Sequence, residues 1–144
     1  MISSVFLYRK INSWVLITFS EKLTVPASAI DENGHVNNIT YLQWCIDVAE
    51  KHWFSKAPST FKDSHFWVVL EHTISYKNPS FEGEELLVET WVTTAEGVKS
   101  ERSYKITRIS DQKVLVTAKT TWCFVEIETQ KPARITDEIR DLFL

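Results

Sequence analysis

Between Asn38 and Phe54, polar side chains recur at three- and four-residue spacing as Thr40, Gln43, Asp47, Glu50 and Lys51. Tyr41, Leu42, Trp44, Cys45, Ile46, Val48, Ala49 and Trp53 fill most of the positions between. That spacing is the period of an α-helix, and a helix of this span is about 25 Å long at 1.5 Å per residue. A single narrow polar stripe leaves most of its circumference apolar, so the rest of the chain has to enclose it. Asn37 or Asn38 is the predicted N-cap, its side-chain oxygen accepting an amide hydrogen that the first turn leaves unpaired.

The remaining patterns supply an enclosure. Loose alternation from Trp14 to Val25 predicts a first strand that ends near Pro26, and a polar loop is expected from Ser55 to Ser64. Four long strand-like segments follow: Phe66 to Tyr76, Leu86 to Thr94, Lys99 to Ile109 and Lys113 to Glu126. In the third, Arg102, Tyr104, Ile106 and Arg108 alternate with Ser103, Lys105 and Thr107. In the fourth, Val114, Val116, Ala118, Thr120, Trp122 and Phe124 share one face. Glu96-Gly97 and Ser110-Asp111 mark hairpin connections. The expectation is an α+β domain, 1–144, in which an antiparallel meander of about five strands wraps one long central helix. Sheet edges and part of the helix would still need cover, which pairing with a second copy supplies.

Composition narrows the function. The 144 residues carry 16 Lys and Arg against 19 Asp and Glu, net charge -3, with no block of one sign. Nothing there advertises nucleic acid or an anionic membrane surface. No apolar run reaches the roughly 20 residues of a membrane span. Arg9 and Lys10 interrupt the apolar residues of Met1 to Ser20 with no small-residue cleavage site after them, so no signal peptide is read. Cys45 and Cys123 lie inside apolar patterns and read as core thiols of a reducing, cytoplasmic compartment. His35, His52, His65 and His72 never fall at the i, i+3 or i+4 spacing of ligands on one element, so no metal is expected. The six Trp residues are spread over helix and strands without basic interleaving and read as core and pocket lining.

Chemistry would sit immediately before the helix, in Asp31-Glu32-Asn33-Gly34-His35-Val36-Asn37-Asn38. A carboxylate, an amide, an imidazole and the unpaired amides of a helix N-terminus are the parts needed to attack a carbonyl and hold the resulting oxyanion. Asp31 is the candidate base or nucleophile, with turn formation and stabilisation of the helix dipole as its ordinary alternative. Gly34 supplies a positive φ or lets the backbone pass close to a substrate.

The string D-E-N-G-H-V-N-N-I-T-Y-L-Q-W, Asp31 to Trp44, closely resembles the signature of the plant FatA/FatB acyl-carrier-protein thioesterases. It is also similar to the 4-hydroxybenzoyl-CoA thioesterase group, whose D-x-x-G segment matches Asp31 and Gly34. A second match is Tyr76-Lys-Asn-Pro79-Ser-Phe-Glu-Gly83-Glu84, similar to a Tyr-x-x-Pro and Gly-acid turn of these proteins, so the resemblance covers roughly Thr18 to Glu126. It implies the hot-dog fold, a role in fatty-acid metabolism, and hydrolysis of an acyl-CoA or acyl-carrier-protein thioester with no cofactor. Asp31, Asn33 and His35 would be the functional residues. Gly34, Val36, Asn37 and Asn38 would position substrate or hold the oxyanion.

Where the plant enzymes add a Glu-Cys pair on the following strand, this chain has Ser75 and Tyr76. Glu71, four residues earlier, is the available supporting acid, with an exposed strand glutamate as the alternative. The plant proteins carry two hot-dog units, so one unit implies a homodimer or a dimer of dimers. Lys77, Arg102, Lys105 and Arg108 read as solvated strand cations or as contacts to CoA phosphates or a carrier protein. The rival readings are a non-catalytic acyl-binding protein and a hot-dog dehydratase or hydratase. The hydratase signature D-x-x-x-x-H is one residue longer than the interval from Asp31 to His35.

Overall fold

The patterned segment is a helix, α1, spanning Asn38–Lys56. Asn37 is the cap: its side-chain oxygen accepts the Ile39 N–H at 2.9 Å. The helix stops at Ala57, which adopts an extended conformation because it precedes Pro58. Replacing Asn37 by Ala is expected to lower stability by about 1 kcal/mol. A drop in the urea midpoint at constant m-value would report it, and an unmoved midpoint would refute the capping role.

The computed structural model describes residues 17–144. Around α1 lie β1 (Phe19–Thr24), α2 (Ser59–Ser64), β2 (His65–Tyr76), β3 (Glu85–Glu96), β4 (Lys99–Arg108), β5 (Val114–Glu126) and α3 (Asp137–Phe143), with a 3-10 turn at Ala27–Ala29. The expected start of β1 at Trp14 to Leu16 falls outside the described residues, and within them the strand begins at Phe19. The segment read as a polar loop after Ser55 instead finishes α1 and, past Pro58, forms the short helix α2. The C-terminal helix α3 was not anticipated. Its N-cap Thr136 accepts from the Ile139 N–H, and Asp137 and Glu138 in its first turn complement the helix dipole.

The strands form one antiparallel sheet in the order β1-β3-β4-β5-β2. Only β3 to β5 run as the expected meander. β2 pairs with β5 on the far edge rather than with β3, and β1 closes the other edge against β3. The β3–β4 link is a tight turn in which Gly97 has φ +60.

One cluster packs Tyr41, Cys45, Val48 and Ala49 of α1 against Leu86, Val88, Tyr104, Ile106, Val116 and Trp122 of the sheet. A second cluster, further along α1, joins Trp53 to Val92, Phe124, Ile135, Ile139 and Phe143, so α3 closes that end. Both cysteines are free and buried, as expected. Enclosure of the helix is less complete than its composition predicts. Leu42, Trp44 and Ile46 are half-buried, and Ile39 and Phe54 are 75% and 59% exposed. A five-strand sheet covers one side of a helix and leaves the flanks open.

Candidate active site

The residues before α1 form a tight closed turn. Gly34 N–H donates to the Asp31 carbonyl at 3.0 Å, Asp31 N–H donates to the His35 carbonyl at 3.1 Å, and Ile30 bridges Val36. This geometry needs a left-handed residue at its end, and Gly34 provides it with φ +83. No atom lies within 4 Å of where a Gly34 Cβ would stand, so the demand is conformational rather than steric.

Asp31 is half-buried. Its Oδ1 accepts the Asn33 N–H at 2.8 Å, the local bond expected of an Asp two residues earlier. Its Oδ2 has no hydrogen-bond or ion-pair partner among the described residues. The turn therefore fixes the carboxylate through one oxygen and leaves the other free. Asn33 presents its side chain to solvent. His35 is half-buried and packs edge-on to Phe81 with ring centroids 6.5 Å apart. The structure brings Asp31, Asn33 and His35 into one turn; the Asn33 N–H bond to Asp31 Oδ1 joins two of them, and no hydrogen bond links one of their side chains to another.

The amides expected to receive an oxyanion are only partly available. Val36 N–H already donates to the Ser80 carbonyl at 2.9 Å and Asn37 N–H to the Ala29 carbonyl at 3.0 Å. Both amides thus hold the turn to its neighbours through backbone carbonyls. Gly34 N–H is likewise spent on Asp31. The amides of His35 and Asn38 have no acceptor among the described residues.

The second sequence motif packs directly on the first. Tyr41 and Ser80 share a buried hydroxyl contact at 2.5 Å, and Tyr76 Oη donates to the Asn38 carbonyl at 3.0 Å. Arg108 clamps this corner, donating to the Pro79 carbonyl at 3.1 Å and pairing with Glu84 and Asp111. It is thus neither a solvated cation nor free for a phosphate. Gly83 takes φ +82 in the turn that returns the chain to Val25.

Glu71 is not brought to this turn. It lies exposed in mid-β2 beside a register irregularity, five residues from Tyr76, or about 17 Å along the strand. Cys45, on α1 itself, does not supply a nucleophile. Cys45 is 1% exposed, and burial pushes its thiol up to about 12, so it stays protonated at neutral pH.

Beside the second cluster lies something that went unread in the sequence, a cavity of about 400 Å³, partly open to solvent, between the C-terminal half of α1, the sheet and α3. Its walls include Trp53, Trp67, Trp122, Ile139 and Phe143; of the charged side chains that line it, Glu50, Lys62, Arg102 and Arg140, Arg102 is the buried one. Arg102 is 7% exposed and its Nη1 donates to His52 Nδ1 at 2.9 Å and to Thr90 Oγ1 at 3.1 Å. It was expected as a solvated strand cation or a phosphate contact. It is instead buried, because it shares the helix-facing side of β4 with Tyr104 and Ile106. Burial lowers its pKa to about 10, which leaves it charged at neutral pH.

A long helix held against a curled antiparallel sheet, with a closed acid-bearing turn at its N-terminus, is the hot-dog fold of thioesterases. The chain belongs to the thioesterase-like superfamily, whose family model matches residues 25–143. A 1,4-dihydroxy-2-naphthoyl-CoA thioesterase from Synechocystis superposes with TM-score 0.75 at 22% identity, over 87% of this chain and 97% of that one. A probable thioesterase from Escherichia coli gives 0.77 at 21%, over 85% and 93%. A Staphylococcus aureus protein in complex with CoA gives 0.79 at 15%, over 89% and 82%. Among curated sequences, a chloroplastic acyl-[acyl-carrier-protein] hydrolase, FATB2, of Cuphea viscosissima is 25% identical over 87 residues. That match takes in 60% of this chain and about a fifth, 21%, of the longer relative. No helix among the described residues is long and apolar enough to cross a membrane.

Proposed function

We propose that this chain is an acyl thioesterase that hydrolyses an acyl-CoA or acyl-carrier-protein thioester to a free acid and a thiol. The observation that carries the reading is the free Oδ2 of Asp31 in the same closed turn as the unpaired amides of His35 and Asn38. Asp31 acts either as a base that takes a proton from the attacking water or as a nucleophile that forms an anhydride which water then opens. In both routes the carbonyl oxygen gains negative charge, and the two amides, aided by the dipole of α1, stabilise it. Collapse of the tetrahedral intermediate expels the thiolate, which takes up a proton. Asn33 and His35 orient the carbonyl or the water from the same turn.

The working unit of this reading is a homodimer. β2 is a long edge strand with Val68, Leu70 and Tyr76 exposed, and Ile39 and Phe81 are exposed near the turn. An unpaired edge carrying apolar side chains is what a second copy covers. Pairing β2 with its counterpart would put Glu71 at the seam, where it could support a site shared by both chains.

Thiol release measured across a panel of acyl-CoA and acyl-carrier-protein substrates of varied length, aliphatic and aromatic, tests the proposal. Turnover of at least one substrate class is expected. Tight acyl-CoA binding with no thiol release would replace the enzyme with a non-catalytic acyl-binding protein.

A further inference from the structure

The turn before α1 makes no use of the cavity at the other end of that helix. Ala49 and Trp53, which line it, lie about 16 to 22 Å along α1 from Asn38 at 1.5 Å per residue. The walls are mostly apolar, yet Arg102 stands in the central strand β4 with its guanidinium turned to this side. Burying an unpaired cation is costly, and proteins normally pair such a charge with a carboxylate. Among the described residues no Asp or Glu forms an ion pair with Arg102.

Its neighbours fix what remains. Arginine only donates, so His52 Nδ1 is the acceptor and the His52 proton resides on Nε2. His52 and Thr90 take two of the five guanidinium N–H groups, both on Nη1. The N–H groups on Nη2 and Nε have no acceptor among the described residues, while Phe143 lies against the guanidinium with its ring centroid 5.9 Å from Cζ. The free donors form the planar fork that matches a carboxylate bidentately. Lys62 and Arg140 also line the cavity against a single acid, Glu50, so the charge balance of its wall favours an anion.

We propose that this cavity binds a carboxylate carried on an apolar body, with the carboxylate on Arg102 and the body against Trp53, Trp122, Ile139 and Phe143. The volume suits a small organic acid. Arg102 is the one buried cation among these lining residues, and one buried positive charge matches a monoanion. Such a carboxylate has two sources: a free organic acid bound away from the reacting turn, or the far end of an acyl group that carries a second carboxyl.

Titration of the full chain with decanoate and with decan-1-ol, followed by the fluorescence of Trp53, Trp67 and Trp122, is the test. Decanoate is expected to bind at least tenfold more tightly than the alcohol, and Arg102→Met to erase that preference while Arg102→Lys keeps part of it. Replacing a buried ion by an apolar side chain of similar length is often tolerated. If Arg102→Met does not fold, the parent comparison alone still decides, and Ala95→Phe, which fills the cavity, is expected to block decanoate. Hydrolysis of hexadecanoyl-CoA and of hexadecanedioyl-CoA, whose chain is long enough to span from the turn to Arg102, then separates the sources. A tenfold preference for the dicarboxylic thioester that Arg102→Met removes assigns the acyl end, and selective decanoate binding without that preference assigns a free acid. Equal binding of decanoate and the alcohol, with no dicarboxylic preference, overturns the proposal. The binding arm needs no turnover, so it stands even if the thioesterase reading fails.

Discussion

Asp31→Asn is expected to lower kcat for thioester hydrolysis by about 100- to 10,000-fold, the range that a positioned acid-base group contributes. KM should change little, because the amides and the turn that receive the thioester are left in place. The substitution is selective: an asparagine oxygen can still accept the Asn33 N–H that Oδ1 accepts at 2.8 Å, and Gly34 still closes the turn. Charge is removed and geometry kept. Thermal unfolding of the variant within a degree or two of the parent, beside lost thiol release, would locate the effect in chemistry. An Asp31→Asn protein as active as the parent would remove Asp31 from the mechanism.

Acid is expected to destabilise the fold through His52. Burial, reinforced by the positive charges of Arg102 and Lys56, lowers the pKa of this fully buried imidazole from 6.5 to about 4. The folded state therefore holds it neutral while the unfolded chain takes up a proton first. The contribution is complete above about pH 6.5 and is lost as pH falls towards 4, amounting to about 3 kcal/mol across that window. Its structural cause is direct. A proton on Nδ1 would abolish the acceptor of Arg102 Nη1 and place two cations 2.9 Å apart. Denaturant unfolding between pH 7 and 4 should lose less stability in His52→Gln, which keeps an acceptor and does not titrate. Identical pH slopes for the two proteins would refute the assignment.

The helix, its Asn37 cap, the long strands from β2 to β5 and the acid-bearing turn were legible because each rests on local chemistry: a period, a cap, a glycine after Asn33. Pairing order was not, since β2 is equally able to face β3 or β5 until the sheet closes, and nothing in its own residues chooses. α3 went unread because seven residues with Ile139 and Phe143 inward make too short a pattern. The Arg102–His52 pair was readable in principle. Arg102 alternates onto the face of Tyr104 and Ile106, and His52 falls on the buried row of Tyr41, Cys45 and Val48. Assigning both by residue type rather than by position hid the cavity. In the turn, the residue types alone placed an acid, an amide and an imidazole side by side, but only the backbone shows that the Val36 and Asn37 amides are already committed.

The strand order also bears on how the chain reaches this state. β3, β4 and β5 are joined by tight turns, so their contacts close short loops and cost little entropy. β1 and β2 reach their places on opposite edges only after long loops are closed, and β2 has to pass the whole meander before it finds β5. The expected early nucleus is therefore the three-strand meander, with α1 laid across it as the edges arrive. The turn that precedes α1 is held by Ser80, Ala29 and Tyr76, residues from both sides of that late assembly. Its geometry is thus expected to be among the last parts of the molecule to form, and a chain stalled before the edges dock would have most of its sheet and an unformed turn.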